Sequence, residues 1–217
     1  MISLQNLFFS YGSDFEIHIK QLTIARGEKV AFVGESGCGK TTLVSLIAGV
    51  LRSNAGQITI ADQQIHNFSD KQLRQFRLRS VGFVFQNFEL LDYLNVTENI
   101  LLPFTLLFKK ATPQTLDKLD YLLNAMSIKN KATHKPHQLS QGEKQRVAIA
   151  RALIHQPSIV IADEPTGNLD PKNSKKIMDL LWKEINEQTT FLMITHDHSL
   201  LNQFDRVIHV GEKGLEE

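Results

Sequence analysis

Cysteine is almost missing from this chain: Cys38 is the single one in 217 residues. That excludes an internal disulfide framework and fits a reducing compartment. Surplus charge is missing too. Lys and Arg total 24 against 23 Asp and Glu, a net charge of +1, so nothing argues for wrapping nucleic acid or coating an anionic membrane. No apolar run reaches the roughly 18 residues of a membrane span. The most apolar stretch, Ile100 to Phe108, is nine residues long and contains Pro103, so any work at a membrane is expected to go through a docked partner. The eight His are scattered, with no H-E-x-x-H spacing to suggest a zinc site. Met1 to Asn6 lacks the basic flank and apolar core of a signal peptide. Internal repeats, low-complexity tracts and long linkers are absent as well.

What is present reads as one globular domain. Hydrophobic residues make up 42% and charged residues 22%, ordinary for a packed domain. Segments 2–9 and 16–24 are predicted as strands around a turn at Tyr11-Gly12-Ser13. Lys29 to Val33 is a short strand, followed by a helical stripe over Leu43 to Leu51. Further strands are predicted at 57–60, 81–85, 159–162, 190–194 and 206–210. Helices are predicted at 96–107 (broken by Pro103), 113–126, 142–155 and 171–188. Strands alternating with helices on either side of a helical insert predict an α/β fold. Its nucleotide-binding core would comprise 1–86 and 157–217, with a helical subdomain at 87–156. The last strand lies close to residue 217, so no C-terminal regulatory domain is expected.

Gly34-Glu35-Ser36-Gly37-Cys38-Gly39-Lys40-Thr41 fits G-x-x-x-x-G-K-[ST], and Thr42 follows it. Glycines let such a loop approach phosphates closely, and the helix starting near Lys40 aims free N–H groups and a positive dipole at the anion. Lys40 would reach the β- and γ-phosphates, and Thr41 would place a hydroxyl on Mg²⁺. Strand, loop and helix in that order support the assignment. Cys38, near a helix N-terminus, reads either as a reactive thiol or as a small buried residue.

The apolar strand Ile159 to Ala162 runs into Asp163-Glu164. In a phosphate-loop fold, a carboxylate at such a strand end holds magnesium, directly or through water. Asp163 suits that place, and Glu164 is then set to polarise the attacking water. His196, after the strand at 190–194, could hydrogen-bond the γ-phosphate or be a plain surface residue. Leu139-Ser140-Gln141-Gly142-Glu143 is a second motif. Ser140 with Glu143 three residues on makes a capping box, and the helix start can also present N–H donors to an anion.

Together these residues resemble an ATP-binding cassette (ABC) ATPase, the motor subunit of ABC transporters, across essentially the whole chain. The resemblance implies a phosphate-loop NTPase core with an antiparallel β subdomain and an inserted α-helical subdomain. It implies that Tyr11 stacks on adenine, although an aromatic near a strand end also reads as core. Gln86 would contact Mg²⁺ or the water. Asp163, Glu164 and His196 would be the magnesium aspartate, catalytic glutamate and switch histidine. Gly167-Asn168-Leu169-Asp170 would couple two active sites. Residues 139–143 resemble the LSGGQ signature, with Gln141 in place of a glycine and Glu143 in place of the glutamine. Ser140 and Gly142, which would touch a γ-phosphate, are retained. One phosphate loop and one signature per chain imply a head-to-tail homodimer around ATP.

Phe83 to Leu91, Asn95 to Ile100 and Ala162 to Asp170 resemble the branch serving macrolide export, lipoprotein release and cell-division-type systems. That branch implies an integral membrane permease partner and a peripheral position on the cytoplasmic face of a bacterial inner membrane. The apolar patch from Phe88 to Phe108 would either hold the partner's coupling helix or pack internally. The alternative is a cassette ATPase of translation or DNA repair. Translation factors of that kind carry two cassettes, and repair members interrupt theirs with a coiled coil or zinc modules.

Overall fold

The computed structural model describes residues 1–12, 15–107, 111–167, 169, 171–212 and 214–215, with only the backbone of 171 and 172. They form two compact units, Met1–Arg77 with Glu187–Glu217, and Leu78–Asn186.

In the first unit, β1 (Ile2–Ser10) pairs antiparallel with β2 (Glu16–Ile24), Leu4 opposite Leu22 and Phe9 opposite Ile17. β3 is Lys29–Val33, β4 is Ala55–Ile60 and β5 is Gln63–Gln64. β4 flanks β1 on its other edge, with a register shift between Gln5 and Phe8. The shift has a visible cause. Asn6 takes φ 45°, and this bulge moves the inward face from Ile2 and Leu4 to Leu7 and Phe9, all buried. Strict alternation would have turned Asn6 inward instead.

β3 pairs parallel with β8 (Thr190–Ile194) and with β9 (Arg206–Gly211). Val30 to Val33 and all of β8 are buried, the continuous apolar pattern of a parallel strand covered on both faces. β10 (Gly214–Leu215) joins β9 antiparallel and β2 parallel. α1 (Lys40–Ile47) follows β3 and is shorter than the predicted stripe. It stops before Gly49, whose φ of +66° ends a helix.

α2 (Asp70–Ser80) was not predicted. Its sequence is dominated by charge, and only Leu73 and Phe76 are buried. A start signal was nevertheless available: Ser69 and Gln72 exchange a capping box, Gln72 Oε1 accepting from the Ser69 amide at 2.8 Å.

In the second unit, β6 (Val81–Val84) runs parallel to β7 (Ile159–Asp163). Four helices accompany them: α3 (Val96–Leu106), α4 (Pro113–Ala125), α5 (Gln141–Leu153) and α6 (Pro171–Glu184). The segment 87–156 lies inside this unit. Pro103 does not break α3 as predicted, for the helix runs through it. The proline costs one ladder bond, but an Asn95–Glu98 capping box holds the start. Val96, Asn99, Ile100 and Pro103 are buried along the helix. α5 is buried from Val147 to Leu153 and forms the core of the unit.

Candidate functional site

The first unit carries the glycine loop. β3 delivers the chain to Gly34, whose φ is +151°, and a Cβ there would lie 2.2 Å from the Val210 carbonyl oxygen. Only glycine fits. At the other end, Gly39 is the N-cap of α1 with φ 102°. No side chain caps this helix start, and its first turn holds no acidic residue. The positive dipole end of this helix is thus not neutralised by a carboxylate of its own first turn and favours an anion.

Lys40 is buried, 6% exposed. Its Nζ donates to the Gly34 carbonyl at 2.9 Å and the Glu35 carbonyl at 2.6 Å, and approaches Cys38 Sγ at 3.8 Å. A buried cation held by backbone carbonyls is electrostatically suited to a phosphate. Cys38 is buried, which favours the packed of its two readings. Thr41 is exposed and Thr42 half-buried at the helix start.

A cleft of about 420 Å³ opens beside the loop, lined among others by Gly34, Glu35, Cys38, Thr195, His196 and His209. The structure therefore brings His196 to the loop's side of this unit, just beyond β8, where the Thr195 amide still donates to Phe32 at 3.3 Å. A second cleft, about 360 Å³, is lined by Phe15, Ser36, Gly37 and Glu212. Tyr11 is 51% exposed, with Phe9 at its edge and Phe15 6.0 Å away. An exposed ring suits a flat base better than a core position. Phe15 was not singled out from sequence, though it crowds Gly39, where a Cβ would meet its ring at 2.6 Å.

The second unit carries the carboxylates. Asp163 ends β7, half-buried, and Glu164 follows at φ 45°. Gln86 Nε2 donates to Glu164 Oε2 at 3.1 Å, so two residues 78 apart in sequence meet at one carboxylate. The amides of Gly167 and Leu169 donate to Glu164 and Thr166 carbonyls at 3.1 Å each. Asn168 and Asp170 of the predicted coupling loop lie outside the described residues. No group of three or more His, Cys, Asp or Glu among the described residues is arranged as a metal cage. Mg²⁺ needs none, since one carboxylate, a hydroxyl, substrate phosphates and waters complete its octahedron. The Asp163 carboxylate and the Thr41 hydroxyl are each of a chemical type that Mg²⁺ accepts.

Ser140 caps α5, with Gln141 and Gly142 opening its first turn. Its Oγ accepts from the Glu143 amide at 3.3 Å, and its own amide donates to Glu143 Oε2 at 2.8 Å. That amide bond holds the Glu143 carboxyl below its ordinary pKa, with small help from Lys131 and Arg146. Glutamate in place of glutamine keeps the box closed.

Phe88, Val96 and Ile100 are buried, so these residues of the predicted apolar patch pack internally. Tyr93 and Leu106 remain exposed, as does Phe85 at the end of β6. Phe108 lies outside the described residues. Sequence reasoning also missed Arg151 and Asn99, both buried, which hold the segment after Gln86 in place.

The ABC transporter sequence profile matches residues 17–167. The lipoprotein-releasing system ATP-binding protein LolD of Bacteroides fragilis (strain YCH46) is 39% identical over 99% of this chain and 100% of its own length. LolD of Legionella pneumophila (strain Lens) is 41% identical over 89% of this chain and 86% of its own. Among solved structures, the ATP-binding cassette MJ0796 superposes with a TM-score of 0.90 at 34% identity, covering 100% of this chain and 97% of that one. That structure is described as a dimeric post-hydrolysis state bound to ADP and Pi. No helix among the described residues is long and apolar enough to cross a membrane.

Proposed function

We propose that this chain, which belongs to the ABC transporter family, is the ATPase motor of a membrane transporter of the lipoprotein-release type, acting as a homodimer closed by ATP. The observation that carries the reading is the presence in one chain of an uncapped, glycine-led helix start at Lys40 and a Ser-capped one at Ser140. Each is an anion-facing terminus, and a site that draws one from each chain needs two copies about a two-fold axis.

In this reading Gly34 to Thr42 grip the triphosphate of one nucleotide, with Lys40 exchanging carbonyl partners for phosphate oxygens. Tyr11 receives the base. Thr41 and Asp163 hold Mg²⁺, with Gln86 close to it. When bound, Mg²⁺ neutralises charge developing on the transferred phosphoryl group. Glu164 accepts a hydrogen bond from the attacking water and aims it, and His196 contacts the terminal phosphate. From the second copy, Ser140, Gln141, Gly142 and Glu143 cap that phosphate. The whole chain then works as a single cassette, with 87–156 as its helical subdomain.

A permease supplies the membrane-spanning part, and the exposed Phe85, Tyr93 and Leu106 offer it a contact surface. The motor would sit peripherally on the cytoplasmic face of a bacterial inner membrane. Nothing in the composition favours nucleic acid, and similarity to lipoprotein-releasing proteins favours transport over translation or DNA repair.

Glu164→Gln tests the reading. The variant is expected to bind ATP like the parent and to hydrolyse it at least about tenfold slower. On size exclusion it should elute as a dimer with Mg-ATP and as a monomer without. A monomer under both conditions would overturn the shared site, and near-normal turnover would remove Glu164 from its role.

A further inference from the structure

Phe88 and Glu89 are consecutive, neither is glycine, and both stand in the left-handed region, at φ 64° and 48°. Side chains with a Cβ resist that conformation, so something must hold it. The Glu89 amide closes a tight turn onto the Asn87 carbonyl at 2.7 Å, and Phe88 donates to Phe85 at 3.1 Å. The principal hold comes from outside the segment. Arg151, on α5, sends Nη1 to the Glu89 carbonyl and Nη2 to the Phe88 carbonyl, each at 2.5 Å. Arg151 as a residue is 8% exposed. Burial lowers its pKa to about 10, against an opposing pull from the Glu89 carboxylate, so it remains a cation at neutral pH. Its rigid fork matches two adjacent carbonyls, which an ammonium cannot do.

The turn held in this way begins two residues after Gln86, whose amide meets Glu164 Oε2. The same α5 begins at the Ser140 cap, a distance of about 16 Å along the helix at about 1.5 Å per residue. We propose that Arg151 is a positioning residue. It fixes the Phe88–Glu89 turn so that Gln86 addresses Glu164, and it thereby ties the catalytic carboxylate to the helix whose N-terminus faces the other copy's nucleotide. The inference rests on the roles given above to Gln86 and Glu164. Displacement of α5 reaches Gln86 through one guanidinium and two carbonyls, all in the second unit.

Arg151→Lys keeps the charge and gives up the fork. Its kcat for Mg-ATP should fall about tenfold, with ATP affinity within about twofold of the parent. In a Gln86→Ala background the same substitution should change kcat by less than about twofold, because the path is already cut. Glu89→Gly added to Arg151→Lys should restore most of the lost kcat, since glycine takes the turn unaided. If Arg151→Lys does not fold, Glu89→Val probes the turn from an exposed position with the buried cation intact. It should lower kcat while leaving ATP affinity unchanged. An unchanged kcat in whichever of these two variants is assayed, or a full additional loss in the Gln86→Ala background, overturns the proposal. So does a Glu89→Gly rescue of melting temperature without rescue of kcat. Should Gln86→Ala alone leave kcat intact, the role given to Gln86 fails first and the positioning role falls with it.

Discussion

Residues legible in the sequence were those whose chemistry is local. Gly34, Gly39 and Lys40 sit in one loop, and their spacing carries the anion-binding geometry directly. Arg151 was illegible for the opposite reason. Its partners lie 62 and 63 residues away, and a basic residue in a helical stripe ordinarily faces solvent. His155 gave as little warning. Burial pushes its pKa below the ordinary 6.5, and the Val81 backbone offsets only part of this. The sign of the linkage follows. Above pH 6.5 the imidazole is neutral in folded and unfolded chains alike, and the site is silent. Below 6.5 the unfolded chain takes up a proton that the folded one refuses, so stability drops until the folded pKa is passed. The melting temperature should therefore fall between about pH 7.5 and pH 5.5, and His155→Leu should make that fall shallower. An identical pH profile in the variant would show that His155 does not contribute.

Among the elements, the longer strands were legible nearly to the residue, because buried runs such as Ile159 to Ala162 leave little choice of state, whereas the two-residue β5 and β10 were not predicted. Helices with weak apolar stripes were not, as α2 illustrates. Around α3 the determining residue is Asn99, fully buried. Its Nδ2 donates to the carbonyls of Leu91, Leu94 and Asn95, and its Oδ1 accepts from the Leu91 amide at 2.8 Å. One side chain thus replaces the backbone partners that an irregular segment lacks. In sequence, Asn99 was only part of a motif resemblance. Asn99→Ala would strand several buried polar groups, each worth about 1–3 kcal/mol when unmade, with partial relief from entering water. A loss of roughly 2–4 kcal/mol on that scale is expected in urea denaturation. A change below about 0.5 kcal/mol, the range of ordinary surface substitutions, would contradict the account.

For the molecule as a whole, fold class and family were legible because the motifs occur in order along the full chain. The division into two units was not, since no linker composition marks Arg77 or Asn186. Assembly through ATP gives a further prediction. Ser140→Asp preserves a good helix start, so the melting temperature of the isolated chain should stay within about 2 °C, the shift of a sub-kcal/mol change. ATP-driven dimerisation of a Glu164→Gln, Ser140→Asp double variant should nevertheless fail, because the aspartate sets one anion against another. Dimers as stable as those of Glu164→Gln alone would refute this. The bond at Ser140 has a wider implication. The cap engages a lone pair on its oxygen, and the hydroxyl hydrogen, which the Glu143 carboxylate attracts within the chain, can be given instead to an acceptor beyond it. Under the proposed dimer, recognition of a neighbour's phosphoryl oxygen would favour Ser here over Asp, a preference that helix initiation alone does not impose.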